Sequence, residues 1–411
     1  MERIEVFHRE ELAKRLAGEL MSADSSSGLF VTGPRRTGKS TFIREDLIPE
    51  LSKAYGTQIV YADLWEDKSA NPGHVIVQAI KSELLKFDGF ILRAAKGVGL
   101  DKIKVGGLEM SIDHIGFGKG ETLTKALTLL AAASKKSITL IIDEAQHSQV
   151  SEEGREALYA LKAARDALNA STGPGFRMLA TGSSSDKLAS LVEDKDQAFY
   201  HAPLVELPTL DVDYLKWYRN SQAFEPKPSI EAMVRGFDAC NHRPEPLRKV
   251  FQALRLASKL AAETIDVYFL QKMDEALANA KSNFYQQLNG LEPLDAAVLK
   301  VMAMEGKKFV PYSKASNMSY QAFIFASTGV PPDEITQSAV QTALERLRSE
   351  KFVWKAGRGA YLIEDTQHTA WILDAVQQER DEFDRAKREL QAIAAAAVVP
   401  KSGVAGSDTK P

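Results

Sequence analysis

Residues 33 to 40 read GPRRTGKS, in which the second of two glycines is followed directly by a lysine and a serine. Glycine lets the backbone curl so that several N–H groups can point at one phosphate, and the lysine adds positive charge to the phosphate oxygens. A hydroxyl next to that lysine is a ligand for Mg²⁺. An ordinary basic turn at the end of a strand is the alternative. We predict a nucleoside triphosphate site formed by Gly33, Pro34, Arg35, Arg36, Thr37, Gly38, Lys39, Ser40 and Thr41.

A pair of carboxylates stands in ITLIIDEAQ, residues 138 to 146. Asp143 ends an apolar run, where a carboxylate needs a positive partner, and in phosphate-loop proteins that partner is hydrated Mg²⁺. Glu144 follows at a position from which it can polarise an attacking water, although the pair can also begin a solvated loop. We predict ATP and Mg²⁺ as cofactors, Lys39 and Glu144 as catalytic residues, and Ser40 and Asp143 as metal ligands. ATP is favoured over GTP because no Asn-Lys-x-Asp guanine-reading motif is present.

Thr181 is a candidate for sensing the γ-phosphate. It ends the apolar part of RMLATGSSSDKL, residues 177 to 188, and lies near the phosphate if this strand neighbours the first strand. The serines that follow it are nearly as well suited to capping a helix.

The segment CNHRPEPLRKV, residues 240 to 250, holds a second candidate. Its prolines favour the start of a helix, and Arg243 at that start can reach the nucleotide across a domain cleft. Arg243 can equally be an exposed charge near the start of the helix, and whether Arg243 or the neighbouring His242 senses the nucleotide is left open.

The elements that must position these residues alternate in type over the first half of the chain. Short apolar runs, typical of strands buried on both faces, are separated by segments with helical periodicity. This alternation indicates an α/β fold, a P-loop NTPase with a parallel, doubly wound sheet. The predicted strands are 29–32, 58–62, 138–142 and 176–181, and the predicted helices are 40–53, 72–86, 121–135 and 152–169.

The domain organisation follows from changes in this pattern. We predict a P-loop core at 1–207, a helical lid at 208–290, a winged-helix domain at 291–380, and a helix end with a disordered tail at 381–411. The tail begins at Ala395. Period-two segments around Gly106-Gly107 predict a β-hairpin inserted at about residues 100–118, either a docking element or an exposed flap. The lid helices are predicted at 211–221, 229–238, 243–262 and 265–288; the winged unit has helices at 294–306, 312–327 and 336–350 and strands at 352–355 and 359–363.

Composition narrows the class of protein. The 411 residues include 52 basic and 55 acidic side chains, so the net charge of −3 gives no overall attraction to nucleic acid, and a DNA contact needs a local basic face. One cysteine, Cys240, excludes an intramolecular disulfide framework and a cysteine-based zinc site. No apolar run reaches the roughly 18 to 20 residues of a membrane span, and no signal peptide is recognisable, so we expect a cytoplasmic protein.

Together, GPRRTGKS, the strand ending in DEAQ, the following TGSS and the proline-marked helix before a winged helix resemble archaeal-type ATPases of the AAA-plus/STAND group, relatives of origin-recognition and transposition ATPases. The resemblance spans about residues 7–365. It implies that Asp143 and Glu144 are the Walker B pair and that Thr181 is the sensor-one residue. STAND proteins usually carry Gly-x-Pro where this chain has Asn241-His-Arg-Pro244. The resemblance also implies an arginine finger from a homo-oligomer or a protein partner, for which the candidates are Arg155, Arg165 and Arg177.

Two functions remain open at this point. The first is an ATP-driven switch that acts on duplex DNA through the winged helix, whose third helix and wing carry Gln337, Gln341, Arg346, Arg348, Lys351, Lys355 and Arg358. The second is an ATP-controlled regulator of a protein partner, in a stress or phage-defence system, that does not bind nucleic acid. A metabolic kinase is disfavoured because the DEAQ strand suits water as the phosphoryl acceptor. In the first two cases we expect slow hydrolysis by the isolated protein.

Overall fold

The computed structural model describes residues 5–66, 70–87, 102–105, 108–111, 123–170, 175–183, 185–257, 261–357 and 360–398. The chain divides into two compact units, Met1–Leu277 and Ala278–Pro411. The predicted phosphate loop and both predicted carboxylates lie in the first unit.

The first unit is built on a parallel sheet. Its strands are β1 (Leu29–Thr32), β2 (Gln58–Asp63), β5 (Ile138–Asp143), β6 (Phe176–Gly182) and β7 (Leu204–Glu206), while β3 (Lys102–Val105) and β4 (Leu108–Ser111) pair with each other. The sheet order is β2-β5-β6-β1-β7, with every neighbouring pair parallel. Each of the four strands predicted for this sheet is present, and β6 lies next to β1. The fifth strand, β7, has no counterpart in the prediction.

Helices cover both faces of this sheet. They are α1 (Glu10–Met21), α2 (Lys39–Phe42), α3 (Ile48–Ala54), α4 (Pro72–Lys86), α5 (Leu123–Ser134), α6 (Glu152–Ala170) and α7 (Ser185–Glu193), with a π-helical turn, Ile43–Leu47, joining α2 to α3. Alternate strand residues point to opposite faces. Val31 and Ile141 therefore pack against α1 to α3, whereas Phe30 and Leu140 pack against α4 to α7. These two cores confirm the doubly wound architecture.

A β-hairpin is present where the sequence predicted one. Strands β3 and β4 pair antiparallel, with Val105 opposite Leu108. The turn at residues 106–107 and the remaining parts of the predicted insertion, 100–101 and 112–118, lie outside the described residues.

Four helices follow the sheet: α8 (Val212–Asn220), α9 (Ile230–Ala239), α10 (Pro244–Leu256) and α11 (Ile265–Asn289). An aromatic core that includes Tyr214, Phe237, Phe251 and Phe269 holds α8 to α10 and the first part of α11 together. Helix α10 ends six residues before the predicted position. The reason is that its buried stripe stops at Leu254, since Leu256 is 80% exposed.

The second unit contains α12 (Pro293–Glu305), α13 (Lys314–Thr328), α14 (Gln337–Ser349), β8 (Val353–Gly357), β9 (Ala360–Ile363), α15 (Thr366–Gln378) and α16 (Arg380–Val398). Three helices followed by an antiparallel hairpin form the predicted winged helix. The last part of α11 and helices α15 and α16 complete its core. Helix α16 continues to Val398, so the prediction of disorder from Ala395 is wrong for its first four residues; residues 399–411 lie outside the described part of the chain.

Candidate phosphate-binding site

The GPRRTGKS loop connects β1 to α2, at the carboxyl end of the strand. Gly38 has φ of 87°, a left-handed conformation that glycine adopts without strain, and a Cβ built at this position would meet nothing within 4 Å. Arg36 also has a positive φ, 62°. The loop is therefore tightly curled, and the space beside Gly38 is open to a group that approaches the backbone.

Lys39 lies folded into this loop. It is 5% exposed, and its Nζ donates hydrogen bonds to the carbonyl oxygens of Gly33, at 2.9 Å, and Pro34, at 3.3 Å. The same Nζ lies 3.9 Å from Oε1 of Glu144. Burial lowers the pKa of Lys39, while the nearby Glu144 and Asp143 carboxylates oppose that shift. The ammonium group thus sits between loop carbonyls and the acidic end of β5.

The sheet order brings the predicted site residues of three strands to one edge. Strand β6 lies between β1 and β5. Thr181 of β6 therefore pairs with Val31 on one side and lies next to Asp143 on the other. The Thr181 hydroxyl donates a hydrogen bond to Oδ1 of Asp143. Both side chains are buried, Thr181 fully and Asp143 to all but 1%.

Asp143 has a second hydroxyl partner that the sequence did not reveal. The phenol of Tyr61, on β2, donates to Oδ2 of Asp143 at 2.9 Å. Burial raises the pKa of Tyr61, and the Asp143 carboxylate raises it further. At the end of the same strand, Asp63 pairs in register with Asp143, and burial raises its pKa above the usual range.

Glu144 is held from one side by neighbouring polar groups. Its backbone is left-handed, with φ of 56°. Its Oε2 accepts hydrogen bonds from the Ser183 hydroxyl at 2.8 Å and from Nε2 of Gln146 at 2.5 Å. Gln146 belongs to a 3₁₀ turn, Ala145–Val150, that follows β5. One oxygen of the predicted general base is therefore occupied by donors, whereas the other faces Lys39.

The two loop arginines form contacts with residues other than Asp143 and Glu144. Arg35 donates from Nε to the Ser183 hydroxyl at 3.1 Å, and its guanidinium lies 4.8 Å from the centre of the Trp65 ring. Arg36 forms an exposed ion pair of 3.1 Å with Glu245 on α10.

Three further residues of the predicted site, Thr37, Ser40 and Thr41, lie in the loop or in the first turn of α2. The Thr37 hydroxyl donates to the Pro34 carbonyl at 2.7 Å, which closes the turn from inside. Ser40 is half-buried in the first turn of α2, and Thr41 is exposed.

Arg243 and His242 stand at the start of α10. Arg243 is the half-buried residue before the first turn. His242, at φ of 56°, has Nδ1 2.9 Å from the Leu210 carbonyl, and its Nε2 lies 3.5 Å from Asp238. The ring of His242 thus contacts Leu210, just before α8, and Asp238 of α9, whereas Arg243 stands at the helix start that the sequence predicted.

Of the three arginine-finger candidates, one lies at the edge of the sheet that carries the loop. Arg155 is exposed at the start of α6 and donates to the Gln149 carbonyl in the 3₁₀ turn. Arg165 donates to the carbonyl of Ser27, just before β1, and Arg177 is the second residue of β6. These two lie at the opposite edge, where the parallel strands begin.

The protein has an α/β P-loop NTPase fold. It consists of a five-stranded parallel sheet with the glycine-rich loop after β1, followed by further helices and a winged helix. The Aeropyrum pernix ORC2 protein in its ADP form matches with a TM-score of 0.53 and 13% identity, covering 92% of this chain and 96% of that one. The same protein in ADPNP-ADP complexes matches with a TM-score of 0.48 and 15% identity, covering 95% of this chain and 96% of that one. The ORC1 protein of that organism in complex with DNA matches with a TM-score of 0.39 and 14% identity, covering 95% of this chain and 95% of that one.

At this level of identity the likeness shows the fold. The chain has the fold of the Aeropyrum pernix ORC2 protein, which confirms the fold implied by the resemblance drawn from its motifs. No family model and no curated protein matches the sequence. Among the described helices, none is long and apolar enough to cross a membrane.

Proposed function

We propose that this protein binds ATP with Mg²⁺, hydrolyses it slowly, and uses the nucleotide state as a switch of the AAA-plus/STAND type. One observation carries the proposal: Lys39, Asp143, Glu144 and Thr181 converge at the carboxyl edge of the sheet, next to the curled loop at Gly38. A buried lysine near the buried Asp143 and the half-buried Glu144 has no obvious packing role, whereas a triphosphate with a metal uses all of these groups.

Phosphate binding requires a change in the partners of Lys39. The backbone N–H groups of residues 33 to 40 would cradle the β-phosphate, as they do in loops of this spacing. The Lys39 ammonium would exchange its bonds to the Gly33 and Pro34 carbonyls for phosphate oxygens. Because this lysine is already buried, its charge would act on the phosphate with little screening by water.

The residues present fit a magnesium ion that shares phosphate oxygens as ligands. Within the described ranges, no group of three or more His, Cys, Asp or Glu residues forms a metal site. Mg²⁺ commonly takes one or two protein oxygens together with substrate phosphates and waters, so Ser40 and Asp143 are a sufficient protein contribution. When bound, the ion would neutralise charge on the phosphates. Asp143 is suited to this role because it is already buried and held by hydroxyl donors on both oxygens.

Hydrolysis would use Glu144 to polarise the attacking water and Thr181 to contact the γ-phosphate. We propose that turnover is slow in the isolated protein because Oε2 of Glu144 is engaged by Ser183 and Gln146. An arginine from a second copy or from a partner would offset the charge of the transferring phosphoryl group. We also propose that the helices after the sheet form a lid and that Arg243, just before α10, contacts the nucleotide when this lid closes.

Duplex DNA is the first proposed target of the switch, through α14 and the wing. Gln337, the first residue of α14, and Lys351, between α14 and the wing, are exposed and available for contacts with bases or phosphates.

A protein partner is the second candidate because the arginines of α14 are already paired. Arg346 forms two hydrogen bonds, 2.6 and 2.7 Å, with the buried Asp295 of α12, and Arg348 pairs with Glu345 at 2.6 Å. Gln341 contacts the Tyr312 hydroxyl. The two ion pairs neutralise positive charge that this surface would need in order to attract DNA phosphates.

The ATPase rate of the full chain, measured with and without duplex DNA, tests the function and separates the two targets. Hydrolysis that requires Mg²⁺ supports the switch, and stimulation by DNA with binding that weakens steeply as salt rises supports the first target. Hydrolysis without any affinity for DNA at low salt supports a protein partner. Absence of ATP binding refutes the proposed function.

A further inference from the structure

Tyr61 is a half-buried residue in the second half of β2. It stands opposite Ile141 in the β2–β5 pairing, two positions before Asp63 meets Asp143. Because residues two apart on a strand share a face, Tyr61 and Asp143 lie on the same face of neighbouring strands. That face is the one covered by α1 to α3, of which α2 begins at the phosphate loop.

The contact between Tyr61 and Asp143 completes a symmetrical arrangement around the carboxylate. Thr181 donates to Oδ1 from β6, and Tyr61 donates to Oδ2 at 2.9 Å from β2. Asp143 therefore receives one hydroxyl from each neighbouring strand. A carboxylate held on both oxygens cannot rotate about its Cβ–Cγ bond without breaking a hydrogen bond. Because Asp143 is only 1% exposed, water cannot readily replace a hydrogen bond that is broken.

The aromatic ring of Tyr61 has a packing role that is separable from its hydroxyl. The ring packs at the border of the core formed with α1 to α3, and the Arg44 guanidinium lies 5.9 Å from its centre. A phenylalanine at this position would preserve the ring and remove only the oxygen that contacts Asp143. The structure therefore allows the two roles to be measured apart.

We propose that Tyr61 is a positioning residue for the magnesium ion of bound ATP, acting by fixing the orientation of the Asp143 carboxylate. This inference rests on the proposed function. Residues that orient a metal ligand commonly affect metal affinity by about 10- to 100-fold when they are lost. Among the described residues, Tyr61 forms its side-chain hydrogen bond with Asp143 and none with residues 33–40, so we expect its effect to be confined to the metal-dependent part of nucleotide binding.

The test is the affinity of the full chain for ATP, measured by calorimetry with saturating Mg²⁺ and again with EDTA. The ratio of the two dissociation constants gives the gain in affinity that is due to the metal. For Tyr61→Phe we expect this gain to fall by about tenfold, with the EDTA value within about twofold of the parent. Tyr55→Phe, which removes the hydroxyl of a tyrosine that is 43% exposed at the end of α3, is the matched control and should leave both values unchanged.

A double variant shows whether Tyr61 acts through Asp143. In an Asp143→Asn background, Tyr61→Phe should cause no further loss of the metal-dependent gain, and this comparison also holds if both single variants are somewhat less stable. The inference is overturned if Tyr61→Phe keeps the parental gain, if it weakens binding equally with and without Mg²⁺, or if its effect persists in full beside Asp143→Asn. Failure of the parent protein to bind ATP at all is a different result, and it removes the proposed function itself.

Discussion

Replacing Gly154 with alanine should destabilise the first unit although the site is a helix, where alanine is ordinarily preferred. Gly154 lies in the first turn of α6, directly against the 3₁₀ turn that carries Gln146. A Cβ at this position would lie 2.2 Å from the carbonyl oxygen of Ser148 and 2.9 Å from its carbonyl carbon. The obstacle is backbone, so it cannot be relieved by a change of rotamer, and one of the two elements must move by about 1 Å.

The magnitude follows from two opposing terms. Overpacking in a well-packed region costs about 1–3 kcal/mol, and the higher helix propensity of alanine returns up to about 1 kcal/mol. We expect a net loss of about 1–2 kcal/mol for Gly154→Ala. For a unit of this size that corresponds to a fall in melting temperature of about 2–8 °C in differential scanning calorimetry of the full chain.

Gly18→Ala is the matched control for this prediction. Gly18 is also inside a helix, α1, but a Cβ there would meet only the Tyr55 hydroxyl, at an ordinary 3.6 Å. Helix propensity then acts alone and should stabilise the protein by about 0.5–1 kcal/mol. The reasoning is refuted if Gly154→Ala melts at or above the temperature of the parent, or if the two substitutions shift the melting temperature in the same direction.

Three further predictions concern single contacts. Burial raises the pKa of Cys240 to about 11, so the native thiol should be almost entirely protonated at pH 8 and should react with a thiol reagent only after unfolding; rapid reaction of the folded protein would contradict its placement. Asp295→Ala should destabilise the second unit by about 2–3 kcal/mol, because Arg346 loses both hydrogen bonds to a buried carboxylate, whereas an unchanged denaturation midpoint would count against that pair. Ser183→Ala should raise the ATPase rate by about fivefold with unchanged ATP affinity, since it frees Oε2 of Glu144 from a hydrogen bond of about 1 kcal/mol, and a slower rate would show that Ser183 supports catalysis instead.

The sheet could be predicted because its strands are local features of the sequence. Residues 138–142 form an unbroken apolar run, as expected of a strand covered on both faces, and the structure extends the strand by only one residue, Asp143. Strand β7 is different. It has three residues, none of them buried, and follows Pro203, so neither length nor periodicity marks it. Its pairing with β1 supplies the stability that its own sequence does not.

The candidate site divides in the same way. The spacing of Gly38, Lys39 and Ser40 is contained within one loop and is legible without any knowledge of the fold. The partners of Asp143 depend on the register of β2 against β5, which no local pattern fixes, and Tyr61 therefore looked like an ordinary strand residue. The signal available was a phenol hydroxyl in a half-buried strand, two positions before the aspartate that ends it.

Long-range partners also decide which charges remain available. The sequence assigned Arg346 and Arg348 to a DNA-reading surface because both lie on the third helix of the winged unit. The acidic partner of Arg346 is Asp295, 51 residues away on α12, and this pairing becomes visible only when the two helices are packed. Arg35 is a similar case, since its Ser183 partner lies 148 residues further along the chain.

The central claim is that the loop at residues 33–40 binds a nucleoside triphosphate through Lys39. Calorimetric titration of Mg·ATP into the parent protein and into Lys39→Ala tests it most directly, with circular dichroism to show that both are folded. The account predicts saturable binding at one site per chain for the parent and none for the variant. A folded parent that takes up no ATP, or a variant that binds it as tightly as the parent, would contradict the account.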